Sequence, residues 1–177
     1  TLCDNWKQTS IMTHTARKKI DTDPIQRLLE VMKRLRDKDH GCPWDIQQTY
    51  KSIAPFTIEE AYEVLDSIQR NDVPGLKDEL GDLLFQVVFL SQIASEEGTF
   101  NFNQVAHHIT EKMISRHPHV FSKRQYLSDI EQNKNWEDLK ENERKVNGIS
   151  SGSLSGVARA LPALMRAQKL QKRASRQ

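Results

Sequence analysis

Cysteine is scarce in this chain, and a long apolar run is missing altogether. Two cysteines among 177 residues, Cys3 and Cys42, cannot build a multi-disulfide framework, and free thiols fit a reducing cytosol, so a cytoplasmic protein is expected. No apolar stretch approaches the roughly 18 residues needed to span a bilayer, so no membrane partner is expected. The first twenty residues, TLCDNWKQTSIMTHTARKKI, lack the continuous apolar centre of a signal peptide. One-sided charge is lacking too. A formal charge of +2 with 28% charged residues gives no field that would recruit nucleic acid or a membrane surface. β-alternation of useful length is absent, which leaves an all-α chain. The length suits one domain with a proper core and is too short for two large ones. The chain opens on Thr1 instead of Met, which reads as a fragment or an upstream read-through, with Met12 as the expected native start.

What the chain does have is carboxylates in two short bursts, Glu59-Glu60-x-x-Glu63 and Glu79-x-x-Asp82. Helix neighbours lie three or four residues apart, so Glu60 and Glu63 share a face, and so do Glu79 and Asp82. Between Thr57 and Ser67 there are four acids and no Lys or Arg. Like charges at such spacings destabilise a helix by about 0.2–0.5 kcal/mol per pair, and a hard divalent cation with oxygen ligands would offset that. In the second burst the acids are embedded in LGDLLFQVVFLSQIA, a sequence apolar nearly all round and therefore a buried helix. Glu79, Asp82 and Gln86 fall on one strip of it, Asp78 falls outside, and Lys77 lies at its very start. Ionised carboxylates there are costly unless paired or bound to metal. On the first helix Ile58, Ala61, Tyr62, Leu65 and Ile68 form the expected core stripe, with Glu59, Glu60 and Glu63 on the opposite arc. Two readings of the first burst stay open. Thr57-Ile58-Glu59-Glu60 also has the form of a capping box, and an acidic helix face is commonly just solvated.

The order of elements follows from caps and breakers. Residues 1–21 are polar and aperiodic, an expected disordered or non-native extension. Asp23-Pro24 starts a helix to about Asp37 that buries Ile25, Leu28, Leu29, Met32 and Leu35. Gly41 and Pro43 mark a loop through Trp44 and Asp45. A short helix near 47–53 is expected to stop before Pro55, with the next helices at about 58–70 and 76–97 and Gly98 closing the latter. Further helices are predicted at about 102–116 and, strongly charged, 131–146, with a loop over 118–130. GISSGSLSG, 148–156, is a linker by composition. Val157 to Arg176 carries six basic residues and no acid. That basic tail could meet anions or lipid, or seek a partner helix. A helical bundle with its site between facing helices is the simplest assembly.

Four carboxylates without histidine or thiol suit Mg²⁺, or Mn²⁺, and not zinc. A di-iron bundle would want Glu-x-x-His, and neither Glu60 nor Glu79 has His at i+3. Mg²⁺ commonly shares its shell with substrate phosphates, and phosphates need cations. Lys112 and Arg116 lie one turn apart on one helix, and Trp136 and Lys140 repeat that spacing on another, although Lys112 and Lys140 also read as ordinary surface residues. His117 and His119, flanking Pro118, read as helix-end packing more readily than as a second metal site.

EEAYEVLDSIQRND followed by LKDELGDLLFQVVFLSQIASEEG resembles the MazG family of nucleoside triphosphate pyrophosphohydrolases, whose signature is Glu-Glu-x-x-Glu, a spacer, then Glu-x-x-Asp. Here fifteen residues separate Glu63 from Glu79. The likeness extends to GCPWDIQQTY, SRHPHVF, NWEDLKENERK and LPALMRAQKLQKRA, and is strongest with the first repeat of the two-repeat bacterial members. It implies the all-α fold of these pyrophosphohydrolases, a homo-oligomer, expected to be a dimer, and Mg²⁺-dependent hydrolysis of NTPs or dNTPs to monophosphate and pyrophosphate, a nucleotide-pool activity. By matching positions it makes Glu60, Glu63, Glu79 and Asp82 the metal ligands and Glu59 an accessory acid that orients water. Lys112, Arg116, Trp136 and Lys140 match nucleotide-contacting positions, and Trp44 and Asp45 border the base. The domain would occupy 22–147 and the segment 157–177 would open a second repeat. The alternative is a copy that keeps fold and metal cage but serves nucleotide sensing or dimerisation, since only one carboxylate signature is present.

Overall fold

A computed structural model describes residues 23–122, Ser128, Trp136, Leu139 and 156–175. Its helices are α1 (Pro24–Leu35), α2 (Pro43–Gln47), α3 (Tyr50–Gln69), α4 (Val73–Glu96), α5 (Phe102–Arg116), α6 (Pro118–Phe121) and α7 (Ala163–Ala174). No strand occurs among the described residues. The extension at 1–21, most of the helix expected at 131–146 and all of the linker but Gly156 lie outside them. The described residues fall into two compact units that divide between Ala106 and His107.

In the first unit α3 and α4 form a helical hairpin and α1 packs on α4. The core is Met32 from α1, Ile53 from α3, and Val88, Phe89 and Ile93 from α4, with Leu28, Leu29, Phe56, Phe85 and Phe102 against it. Each fully buried side chain of this size stabilises the fold by about 1.5–3 kcal/mol. The hairpin turn is set by its caps. Asn71 takes a left-handed φ of 56°, its N–H donates to Ile68 O, and Asp72 N–H donates to Ser67 O. Asp72 then caps α4 by accepting from Gly75 N–H at 3.0 Å. Gly98, at φ 69°, closes α4 in the same way, with Thr99 N–H on Ala94 O.

Two expectations are corrected here. Pro55 does not break the chain into two helices, because α3 starts at Tyr50, after a capping box between Thr49 and Ser52, and runs straight through it. The hydrogen bond lost at Pro55 is the one to Lys51 O, and both residues are on the exposed side, where water can serve that carbonyl. Thr57 is therefore no cap; its hydroxyl donates back to Ile53 O at 3.4 Å, inside the helix. The second correction concerns the inner face of α3. Ile53, Phe56, Thr57, Glu60, Val64 and Ser67 are its less exposed positions, whereas the apolar stripe Ile58, Tyr62, Leu65 and Ile68 stays about half exposed, between 45% and 53%.

The second unit holds the C-terminal part of α5 with α6 and α7. Pro118–Phe121 is helical where a loop was expected, with Pro118 at the first helical position. On α7, Leu164 and Met165 are exposed, and Arg166 is half-buried.

Candidate metal centre

Three carboxylates meet between α3 and α4. One oxygen each from Glu60, Glu79 and Asp82 lies within 4.8 Å of the others, a spacing that one cation could bridge. Glu60 reaches the group because it is on the inner face of α3, and Glu79 and Asp82 because i, i+3 puts them on one face of α4. Glu63 stands on the next turn of α3, exposed and outside the three, and its charge acts on Glu79, Asp82 and Glu60. Glu59 is exposed and not one of the three.

The electrostatics report the same crowding. Desolvation raises the Glu60 carboxyl above its ordinary range, and the charges of Asp82, Glu63 and Glu79 add to it, against a lowering hydrogen bond from Gln86. Glu79 is raised by desolvation, then by Glu63 and Asp82. Asp82 is raised by desolvation, then by Asp78 and Glu63. Asp78, off the strip in the sequence pattern, still acts on Asp82 from one helical turn away. Neither α3 nor α4 offers a cation within ion-pair distance of Glu60, Glu79 or Asp82 among the described residues, and like charges without a counter-charge favour either protonation or a bound cation. Gln86, 8% exposed, donates from Nε2 to Glu60 Oε1 at 3.4 Å, and its own Oε1 is buried without a partner.

The Trp44 turn lies on the same flank of the hairpin as Glu60. Trp44 packs edge-on against Phe56 at 6.1 Å and Phe89 at 6.5 Å, and leaves 52% of its surface exposed. Phe56 and Glu60 are one turn apart on α3, about 6 Å along its axis. Asp45 is 8% exposed, and its carbonyl is taken by Arg36. In the second unit Arg116 and Trp136 come together. The guanidinium stands 5.3 Å from the indole centroid, and His117 meets the same indole edge-on at 4.8 Å. The His117 Nδ1 contacts Met113 O at 2.6 Å, so His117 is held by the end of α5. Lys112 is half-buried on α5, and Lys140 lies outside the described residues.

Sequence reasoning passed over Phe56 and Arg36 as contributors around the site, and placed Gln86 on the strip of Glu79 and Asp82 without giving it a role. The signal for Arg36 was available: it stands four residues after Met32 on the buried face of α1, where the next core side chain belongs.

An all-α unit with a carboxylate cluster between facing helices defines a helical-bundle class with a candidate divalent-metal site. Residues 48–121 match the MazG nucleotide pyrophosphohydrolase domain. The nucleoside triphosphate pyrophosphohydrolase of Escherichia coli K12 is 53% identical over 149 residues, covering 84% of this chain and 56% of that protein. The nucleoside triphosphate pyrophosphohydrolase/pyrophosphatase MazG of Thermotoga maritima is 39% identical over 151 residues, 85% of this chain and 56% of that protein. The crystal structure of a mazG-related protein from Thermotoga maritima superposes with a TM-score of 0.55 at 26% identity, over 66% of this chain and 98% of that one. The chain belongs to the MazG family. It spans little more than half the length of these two sequence relatives.

Proposed function

We propose that this chain is a nucleoside triphosphate pyrophosphohydrolase, converting an NTP or dNTP and water into the monophosphate and pyrophosphate and so clearing the nucleotide pool. The observation that carries the reading is the gathering of Glu60, Glu79 and Asp82 within 4.8 Å, between the helices of a MazG-family hairpin. The donor set fits a hard dication: all oxygen, negatively charged, uncompensated by nearby cations, and with raised carboxyls that a bound ion would return to the ionised state. Mg²⁺, with Mn²⁺ as a substitute, would be held by Glu60, Glu63, Glu79 and Asp82. When bound it shields phosphoryl oxygens and makes water a better nucleophile.

The remaining roles belong to the chain's own side chains. Glu59, exposed beside the cluster on α3, is read as the acid that orients the attacking water. Lys112, Arg116 and Lys140 are read as phosphate contacts, the arginine as a fork and the lysines as point charges. Trp136 and Trp44 are read as aromatic contacts to the nucleoside, with Trp44 and Asp45 on the base side. Trp44 suits that role because its ring is half exposed yet seated on Phe56, one turn from Glu60. We read 22–147 as the pyrophosphohydrolase domain, 148–156 as a linker and the segment carrying α7 as the opening of a second repeat.

The half-exposed stripe Ile58, Tyr62, Leu65 and Ile68 supports a homodimer in which α3 and α4 pack on their counterparts, a self-complementary arrangement. Among the described residues no helix is long and apolar enough to cross a membrane. Thiol usage, with Cys42 unpaired, fits the cytoplasm.

Incubation with a panel of NTPs and dNTPs plus Mg²⁺, measuring pyrophosphate and monophosphate, tests the activity. Pyrophosphate is the expected product. Orthophosphate release would overturn the reaction type, and tight nucleotide binding without turnover would assign the chain to the sensing or dimerisation alternative.

A further inference from the structure

We infer that Arg36 is a positioning residue that holds Trp44 in place and thereby sets nucleotide affinity, without itself touching metal or nucleotide. The inference rests on the base-side reading of Trp44 given above. The Arg36 side chain is 6% exposed, and each arm of its guanidinium is committed. Nε and Nη2 grip the Glu96 carboxylate at 2.9 and 2.7 Å, and Nη1 donates to the carbonyls of Asp45, at 2.5 Å, and Gln48, at 3.2 Å. Those carbonyls lie at the C-terminal end of α2, where Asp45 O also accepts from Gln48 N–H at 3.2 Å and Trp44 O from Gln48 Nε2 at 2.9 Å, bonds internal to the turn that tie it to no other element. A five-residue helix does not hold itself together in water. Its start has no side-chain cap bond, and the turn before it is tight. Gly41 N–H donates to Asp37 O and Cys42 N–H to Leu35 O, both at 2.8 Å, and a Cβ on Gly41 would run into those carbonyls. Arg36 supplies the hydrogen bonds that tie the end of α2 to α4, beside the packing of Trp44 on Phe56 and Phe89.

The same cation stands 5.3 Å from the centroid of Phe89, the fully buried ring against which Trp44 packs edge-on. Arg36 thus controls both the backbone that carries Trp44 and the ring beneath it. Lysine cannot reproduce this, because one ammonium cannot span a carboxylate and two carbonyls in a planar fork. The anchor is also remote from the metal centre. Glu96 is fourteen residues beyond Asp82 on α4, about 21 Å along the axis, so loss of the anchor should leave the carboxylates where they are.

The test uses the full chain, with Arg36→Met, Arg36→Lys, Trp44→Ala and the Arg36→Met/Trp44→Ala double variant. Binding of the four α,β-methylene ribonucleoside triphosphates is measured by titration calorimetry with Mg²⁺, and Mn²⁺ binding alone by electron paramagnetic resonance. Arg36→Met and Trp44→Ala should each weaken nucleotide binding about tenfold, what one base–aromatic stack contributes. The double variant should be no weaker than Trp44→Ala, Arg36→Lys should fall between wild type and Arg36→Met, and Mn²⁺ affinity should not move. Hydrogen exchange should quicken at 44–48 in both Arg36 variants and stay unchanged across α3. Wild-type affinity in Arg36→Met, losses that multiply in the double variant, or a parallel fall in Mn²⁺ affinity would each overturn the inference. If Trp44→Ala weakens binding while Arg36→Met does not, only the role of Arg36 falls. If Trp44→Ala binds as wild type, or wild type binds no analogue, the base-side reading falls and takes the inference with it.

Discussion

Gln86 on α4 donates to Glu60 on α3 across the hairpin, at 3.4 Å, while its other amide atom is buried with nothing to bond. The pair joins the apolar core to the metal centre. Gln86 lies one turn after Asp82, between the carboxylates and the buried Phe89, and it points Glu60 toward the cluster.

Gln86→Leu should separate those two roles. Removing the orphaned oxygen relieves a buried polar group that costs about 1–3 kcal/mol, so metal-free stability should hold or rise. Losing the donor frees Glu60, and Mg²⁺ affinity should fall by about tenfold, the lower end of what residues behind metal ligands contribute. Mg²⁺ titration followed by the shift in Tm reads both effects. Unchanged Mg²⁺ affinity would show that Glu60 needs no support from α4.

Glu63→Gln and Asp82→Asn should each abolish Mg²⁺-dependent turnover while the helices remain folded. In metal-free buffer either change should stabilise the protein, since it removes one charge from a group that raises its neighbours' carboxyls. Circular dichroism melts with and without Mg²⁺ check this. Wild-type stability indifferent to saturating Mg²⁺ would mean that the native state does not bind it preferentially, and the metal centre would be refuted.

The pH dependence has a defined sign. Glu60, Glu79 and Asp82 are raised in the folded state, by desolvation first and by their mutual charges second. Their contribution to stability is full below the ordinary carboxylate range and is lost as pH rises through the raised values. Glu96 works the other way. Burial alone would raise it, but hydrogen bonds from Arg36 and Gln92 leave it lowered, so its contribution is lost only as pH falls through that lowered value. Metal-free protein should therefore lose stability from about pH 4 toward neutrality, and Mg²⁺ should cancel the loss. Urea midpoints measured in chelator and in Mg²⁺ decide it. A Glu60→Gln/Asp82→Asn double variant should flatten the metal-free curve, and a slope that survives these changes would place its origin elsewhere.

The all-α class was legible because period 3.6 runs through every described segment and no alternation competes with it. The second carboxylate burst stood out because Asp82 sits within LGDLLFQVVFL, where an acid is costly unless paired or bound, whereas the first burst also read as a capping box or a solvated face. The inner face of α3 was not legible. Its apolar stripe, Ile58 to Ile68, looks like a core face, but the hairpin turns Thr57, Glu60, Val64 and Ser67 inward, on the side where Ile53 and Phe56 pack in the core with Val88 and Phe89. Pro55 misled the reading as a breaker, since only the fold shows that the carbonyl it orphans faces solvent. The Arg36 anchor joins residues sixty positions apart, and no periodicity within one helix reveals such a contact.

That outward stripe carries the last prediction. Ile58, Tyr62, Leu65 and Ile68 recur at helical spacing and are about half exposed, and Leu80 of α4 is 50% exposed as well. An apolar surface of this continuity is stable in water only when covered, and the same face of a second copy covers it with a symmetric contact. Light scattering should report a dimer at micromolar concentration. Leu65→Lys or Ile68→Lys should shift it to monomer with the helices intact, because a lysine at a self-complementary contact meets its own copy and both charges would be desolvated. Limited proteolysis within 148–156 should remove the basic segment that carries α7 without dissociating the dimer, since the stripe lies wholly on α3 and α4. A wild-type monomer, a dimer indifferent to both lysines, or dissociation on losing the tail would each refute this assembly.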